Sequence, residues 1–164
     1  MARKITFEMT YDAPAERVAA MLADPDFRKQ VCDLQGVTRV DVTVTQPYEG
    51  DPDAKRVVID QWQPTKGLPS IATKIVGDET NIVQDERWTS PTHGDITVTI
   101  PGKPGEMTGT AVLRESGGTT VESVEMTIKV KIPVVGGKLE GIIGDLLLKA
   151  LKAEQQAGRT YLSR

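Results

Sequence analysis

The fold is decided by residues 123–162, SVEMTIKVKIPVVGGKLEGIIGDLLLKALKAEQQAGRTYL, where one hydrophobic periodicity replaces another. From Ser123 to Ile132 the apolar residues occupy every second position, which is typical of a half-buried strand. Pro133 ends that strand. Residues 135–162 then carry apolar side chains at a 3.6-residue period, which predicts one helix roughly 40 Å long. Its charged residues are interpreted as the solvent face: Lys138, Glu140, Asp145, Lys149, Lys152 and Glu154.

Upstream of this stretch, six further segments show strand patterns and two short ones show helix signals. Residues 4–11 alternate with one apolar face, and Pro14 and Pro25 then open two short helices because proline suits the first helical turn. The remaining strand patterns lie at residues 40–45, 55–62, 82–88, 96–100 and 107–113. Short loops between successive strands predict an antiparallel meander of seven strands.

Composition narrows the classes of function. The chain has 164 residues and a net charge of −3, which argues against a nucleic-acid partner. Its one cysteine, Cys32, excludes an intramolecular disulfide, and Cys32 with the one histidine, His93, cannot form a four-ligand Cys/His zinc site. We predict neither a metal nor another cofactor. No signal-peptide core or 18-residue apolar run is present, so we expect a cytoplasmic protein that is not integral to a membrane.

A seven-stranded antiparallel sheet with one apolar face needs a cover, and the C-terminal helix is the only element large enough. A sheet of this size also twists and curls. The expected fold class is therefore α+β: a curved antiparallel sheet wrapped on a long C-terminal helix, with two short helices between strands 1 and 2.

This order of elements, together with six short stretches, resembles the START-like superfamily, the helix-grip or SRPBCC group that includes the polyketide cyclases and the birch-pollen allergen. Within that group the chain is similar to a bacterial family of unknown function. The stretches that carry the resemblance are Tyr11–Val18, Met21–Phe27, Gly77–Glu79, Glu86–Trp88, Ile100–Pro104 and Ile132–Glu140. The resemblance implies one domain over residues 1–164 with an internal apolar cavity. It implies no particular reaction, because a fold does not determine a function.

Glu86 is the candidate catalytic residue, because it shares the parity of Ile82 and Trp88 and so lies on the predicted inward face. A desolvated carboxylate is a candidate general acid or base. The alternative, which we favour, is that Glu86 pairs with an arginine at the sheet margin, or that a β-bulge reverses the parity of the strand.

The walls of the expected cavity come from the apolar faces of the strands and of the last helix. Gln84 could orient the polar end of a ligand, or it could face water at an edge. Trp88 could stack on a flat ligand, although ordinary core packing is the favoured interpretation. The predicted ligand-binding residues are Ile82, Gln84, Glu86, Trp88, Leu113, Met126, Ile143 and Leu147.

Two glycines one turn apart on the last helix, Gly141 and Gly144, leave a narrow strip of the helix surface without side chains. That strip gives room either for a ligand or for close packing of a strand on the helix.

Three functions remain open. The first is binding of a lipid, isoprenoid or polyketide-like molecule by a monomer or weak homodimer. The second is a cyclase or dehydratase that uses Glu86 as acid or base, which ranks lower because no nucleophile–base pair is visible. The third is an interaction protein similar to the co-chaperone branch of the superfamily.

Overall fold

The computed structural model describes residues 2–164 and confirms the predicted α+β helix-grip fold. Two short helices lie between the first and second strands, and a long helix closes the chain. The elements are β1 (Arg3–Tyr11), α1 (Ala15–Leu22), α2 (Pro25–Leu34), β2 (Arg39–Thr45), β3 (Lys55–Pro64), α3 (Ser70–Val76), β4 (Glu79–Ser90), β5 (His93–Thr99), β6 (Glu106–Ser116), β7 (Thr119–Lys129) and α4 (Gly136–Leu162).

The seven strands form one antiparallel sheet in the order β1-β7-β6-β5-β4-β3-β2. Each hairpin partner is the next strand in sequence, and β1 closes the far edge by pairing with β7. The register sets Ile5 opposite Met126, and Glu86 opposite both Val57 and Ile96. Because side chains alternate along a strand, these residues share the inward face.

The antiparallel register gives the sheet two distinct ends. At one end, β3 finishes at Pro64 and β7 finishes at Lys129, and α3 and α4 begin shortly after these strands. We call this the open end. At the opposite end, which we call the closed end, Lys55 Nζ donates to Ala19 O at 2.9 Å and Thr120 Oγ1 donates to Ala13 O at 2.7 Å. These two bonds hold the start and middle of the first helical region against the sheet.

Large side chains fill the interior at the closed end. Met9 and Tyr11 come from the end of β1, which packs against α4, and Gly158 of that helix lies directly against the Tyr11 ring. The ring of Phe27 packs edge-on against Tyr161, with centroids 5.5 Å apart. The largest fully buried side chains include Trp88, Tyr11, Phe27, Met9, Met21 and Leu22.

Helix α4 runs alongside β1 at close range. A Cβ added at Gly144 would lie 2.7 Å from Arg3 Nε, and one added at Gly158 would lie 2.5 Å from Tyr11 Cε1. Between them, Thr10 N donates to Gln155 Oε1 at 2.9 Å. At Gly144 the missing side chain therefore makes room for the packing of β1 on the helix. No helix among residues 2–164 is both long enough and apolar enough to cross a bilayer.

The expected solvent face of α4 is wrong at two positions. Glu140 and Glu154 are buried. Glu140 Oε2 accepts a hydrogen bond from Val130 N at 2.9 Å, where β7 has ended and the backbone N–H needs a partner. Glu154 faces a buried arginine. A charged residue on a helix can be buried when a polar or oppositely charged partner is present in the interior.

Candidate functional site

Glu86 lies on the inward face of β4 and is only 3% exposed. Its Oε1 accepts hydrogen bonds from Arg28 Nη2 at 2.7 Å and from Trp88 Nε1 at 2.9 Å, and its Oε2 accepts from Gln84 Nε2. Glu86 is thus paired with an arginine, but that arginine comes from α2 in the interior rather than from the sheet margin.

Arg28 is the centre of a buried polar cluster. It is 2% exposed, and its Nε donates to Leu22 O at 2.7 Å while Nη1 donates to Glu154 Oε1 at 3.2 Å. Burial opposes the positive charge, but Glu86 and Glu154 outweigh it and raise the pKa of Arg28. One guanidinium therefore joins α2, β4 and α4.

Glu122 on β7 adds a third carboxyl to this cluster. Burial, with the nearby charge of Glu154, raises the pKa of Glu122 well above its usual range. Burial, assisted by Glu86 and opposed by Arg28, also raises the pKa of Glu154 to about 7. Glu122 Oε1 has no hydrogen-bond partner among residues 2–164. The cluster of Arg28, Glu86, Glu122 and Glu154 can therefore hold a proton at neutral pH.

Lys55 and Trp88 pack together at the closed end. Lys55 Nζ lies 5.5 Å from the centroid of the Trp88 ring, and burial lowers the pKa of Lys55 to about 8. On its other side, the indole covers Gly94, where an added Cβ would lie 2.7 Å from Trp88 Cδ2. This packing is that of a core tryptophan with its N–H bonded to Glu86.

The other predicted ligand-binding residues fall into two groups. Leu113 and Met126 are buried on the inward faces of β6 and β7, with Leu113 opposite Glu122. Ile82, Ile143 and Leu147 are half-buried and pack against the core from the open end. Gln84 is half-buried between the two groups.

The first half of α4 is incompletely covered. Between residues 141 and 153 of the helix, Gly144 is the only buried residue, and Leu146 is 41% exposed. Helix α3, at the same end of the sheet, contributes no buried residue. The half-buried apolar side chains that α4 presents here are Ile143, Leu147, Leu148 and Leu151. The open end therefore keeps a partly exposed apolar surface between the helix and the sheet.

Two clefts lie elsewhere on the surface. A cleft of about 550 Å³ is bordered by α2 and the end of α4, with charged and polar walls. A second, of about 260 Å³, lies beside the loop between β2 and β3 and reaches Trp88, the only predicted site residue that borders either cleft. Within the described part of the chain, no group of three or more His, Cys, Asp or Glu side chains is arranged to hold a metal ion.

Sequence reasoning missed Arg28, Glu122 and Glu154. The parity of β7 carries a signal for Glu122, because the inward series of Val124 and Met126 extends back to position 122. Arg28 follows the buried Phe27 on α2, and Glu154 lies one turn before Ala157 on α4. Periodicity places these two residues near a buried face, but only the tertiary structure shows that they meet.

Comparison with known proteins agrees with the fold. A family model described as "Protein of unknown function (DUF2505)" matches residues 6–162. Uncharacterized proteins of Mycobacterium tuberculosis and Mycobacterium bovis are each 30% identical over 168 residues, covering 95% of this chain and 94% of the relative.

Solved structures show the same architecture at low identity. The Zhui aromatase/cyclase from Streptomyces sp. R1128 is 12% identical and has a TM-score of 0.67, with coverage of 100% of this chain and 95% of that one. A START superfamily protein from Mycobacterium smegmatis is 14% identical and has a TM-score of 0.61, with coverage of 96% and 98%. These likenesses confirm the START-like fold, and the family match confirms the expected family of unknown function.

Proposed function

This chain belongs to the DUF2505 family, and we propose that residues 1–164 act as one START-like domain that holds a small hydrophobic molecule at the open end. Suitable guests are lipid, isoprenoid or polyketide-like molecules. The observation that carries the proposal is the row of apolar side chains on the first half of α4, including Ile143 and Leu147, which pack against the core but stay only half-buried. One structural neighbour is described as an aromatase/cyclase, which is in keeping with such a guest.

The guest is assigned to the open end because the closed end is already full. Tyr11, Phe27 and Trp88 occupy that interior, and the Arg28 cluster lies beside them. Half-buried apolar surface, in contrast, gains about 25 cal/mol for each Å² that a guest removes from water. Under this proposal Ile82, Gln84, Ile143 and Leu147 border the guest, with Met126 beneath it. Leu113, Glu86 and Trp88 then support the site from below.

Gln84 is suited to orient a polar group of the guest. Its amide N–H donates to Glu86, which fixes the orientation of the side chain. The amide oxygen is then directed away from that carboxylate and can accept a hydrogen bond from a ligand hydroxyl. A mostly apolar site with one oriented polar group is the usual design of small-molecule pockets.

The experiment is a titration with a naphthalene dye whose fluorescence rises in apolar surroundings. We expect saturable binding by the unmodified protein and at least tenfold weaker binding by Leu147→Gln. The matched control is Leu146→Gln, which makes the same change at an adjacent position that is 41% exposed. Equal loss in both variants, or no saturable binding at all, would count against the proposal.

Acid–base catalysis is a second candidate function, and the observation that favours it concerns Glu154 and Glu122 rather than Glu86. Both oxygens of Glu86 are engaged by Arg28, Trp88 and Gln84. Glu154 has a pKa of about 7, and Glu122 retains an unpartnered oxygen. A dehydratase would remove a proton beside a carbonyl and protonate the departing hydroxyl. This function differs from the first in that the substrate would have to displace side chains that fill the closed end, because Glu122 and Glu154 are buried there. Release of water from a β-hydroxy ketone by the unmodified protein, lost in Glu154→Gln, would support this function; no release would exclude it.

A further inference from the structure

The loop between β7 and α4 carries a fully exposed apolar side chain at the open end. Val134 is as exposed as a valine in an extended chain, and its backbone has φ 71°. A β-branched residue is a rare occupant of this left-handed region. Pro133 precedes it, and Val135 N bonds back to Pro133 O at 2.8 Å. The turn thus holds an apolar tip away from the protein at a position where glycine would fit the backbone better.

The segments that lie at the same end of the sheet as this tip are basic. The segments at the open end, residues 65–79, 100–106 and 129–138, contain six lysines and three acidic residues, a balance of +3 in a chain whose net charge is −3. Of the three acidic residues, Glu79 is already paired with Arg39. The lysines are exposed, and none forms an ion pair within residues 2–164: Lys66, Lys74, Lys103, Lys129, Lys131 and Lys138.

We propose that the open end docks on an anionic lipid surface, with Val134 inserted among the head groups and the lysines facing the lipid phosphates. An exposed apolar tip on an end that carries an excess of lysines is complementary to a surface that has phosphates outside and an apolar layer within. The remainder of the chain carries the excess negative charge, so an anionic membrane attracts this end and repels the others. Docking does not require a bound guest and therefore stands apart from the function proposed above.

A nucleic acid also presents phosphates, but it offers no apolar layer to receive Val134. The lysine contribution falls as salt screens it, over a distance of about 10 Å at 0.1 M. Binding to lipid should therefore depend on salt, on the lysines and on Val134 together. Binding to a nucleic acid would depend on salt and the lysines alone.

The test is co-sedimentation with vesicles of phosphatidylcholine, alone or mixed with phosphatidylglycerol, at low and high salt. We expect binding to the anionic vesicles at low salt and little binding to the neutral ones. Lys129→Gln/Lys131→Gln should weaken that binding by roughly tenfold or more, since each lysine near the surface contributes separately. The control, Lys29→Gln/Lys152→Gln, makes the same charge change at exposed positions on α2 and α4 and should bind like the parent.

The tip is tested by Val134→Asn and Val134→Ile. Val134 is fully exposed, so Val134→Asn removes the apolar side chain without disturbing the core and stays folded. We expect several-fold weaker vesicle binding from Val134→Asn and parental binding from Val134→Ile. The proposal is overturned if anionic vesicles do not bind at low salt or if both lysine pairs behave alike. It is also overturned if Val134→Asn has no effect while a DNA duplex displaces the vesicles.

Discussion

Arg28 Nη1 lies 3.2 Å from Glu154 Oε1, so a buried guanidinium from α2 joins the C-terminal half of α4 to the rest of the interior. The same guanidinium reaches Glu86 on β4 at 2.7 Å. A single side chain on α2 thereby connects this helix and α4 to the sheet at the closed end. Among the described residues, the first half of α4 makes polar contacts with Val130, just after β7, through Glu140 and with Arg3 of β1 through Asp145.

Replacing Arg28 with methionine should destabilise the protein by about 3–5 kcal/mol. The substitution leaves the buried Glu86 without its cation, and removing one partner of a buried ion pair has a cost of this size. Urea unfolding followed by circular dichroism measures the effect. Arg114→Met is the matched control, because it breaks an exposed pair with Glu8 and should cost less than about 1 kcal/mol. A similar small cost at both positions would show that the Arg28 cluster does not hold the helices in place.

Stability should fall as the pH rises from about 5 to 7. Glu154 has a pKa of about 7 when folded against 4.5 ordinarily, and burial raises that of Glu122 as well. Such groups bind more protons in the folded state, so their contribution to stability decreases as pH rises. The pKa of Lys55 is lowered from 10.5 to about 8, so its contribution increases with pH above about 8.

Urea midpoints measured at constant ionic strength from pH 5 to 9 test this dependence. Glu122→Gln removes one of the titrating carboxyls and keeps the size of the side chain. The urea midpoint of this variant should therefore fall less between pH 5 and 7 than the midpoint of the parent protein. A parent midpoint that rises steadily over this interval would contradict the assignment of a protonated cluster.

Adding a methyl group at Gly158 should destabilise the protein although it improves helix propensity. The new Cβ of Gly158→Ala would lie 2.5 Å from Tyr11 Cε1, and Tyr11 is fully buried. Overpacking of this kind costs about 1–3 kcal/mol. Gly137→Ala on the same helix meets nothing within 4 Å and should stabilise by up to about 1 kcal/mol. Thermal unfolding of the two variants measures both changes in stability. A Gly158→Ala variant more stable than the parent would contradict the packing of α4 on β1.

Periodicity predicted the architecture because each strand packs one face against the core, although β2 does so only with half-buried side chains. Ile82, Glu86 and Trp88 share a parity on β4, and the structure places all three inward. The same alternation, continued back from Val124, places Glu122 on the inward face. A carboxyl at that position would nevertheless be assigned to the solvent, because the sequence does not show the buried Arg28 nearby. The helical period allows Glu154 to lie near the buried face of α4, but its charge predicts a position in the solvent. The outcome depends on Arg28, which is 126 residues away in the chain, and local patterns carry no information about such a partner.

Replacing Val134 with glycine should raise the stability by up to about 1 kcal/mol. Val134 has φ 71°, a positive value that is unfavourable for a residue with a Cβ and that glycine adopts freely. Val134→Ala shortens the side chain but keeps the backbone penalty, so it should remain close to the parent. Chemical unfolding of the three proteins gives the comparison. If Val134→Gly proved less stable than Val134→Ala, the positive φ in the turn before α4 would be in error.

The central claim is that a small apolar guest binds between the first half of α4 and the open end of the sheet. Methyl NMR during a titration with the naphthalene dye tests it directly, because each isoleucine and leucine reports its own surroundings. The account predicts saturable shifts at Ile82, Ile143 and Leu147, with little change at Leu113, which is buried beside the closed end. Saturable shifts confined to Leu113, or none that saturate at any methyl group, would contradict it.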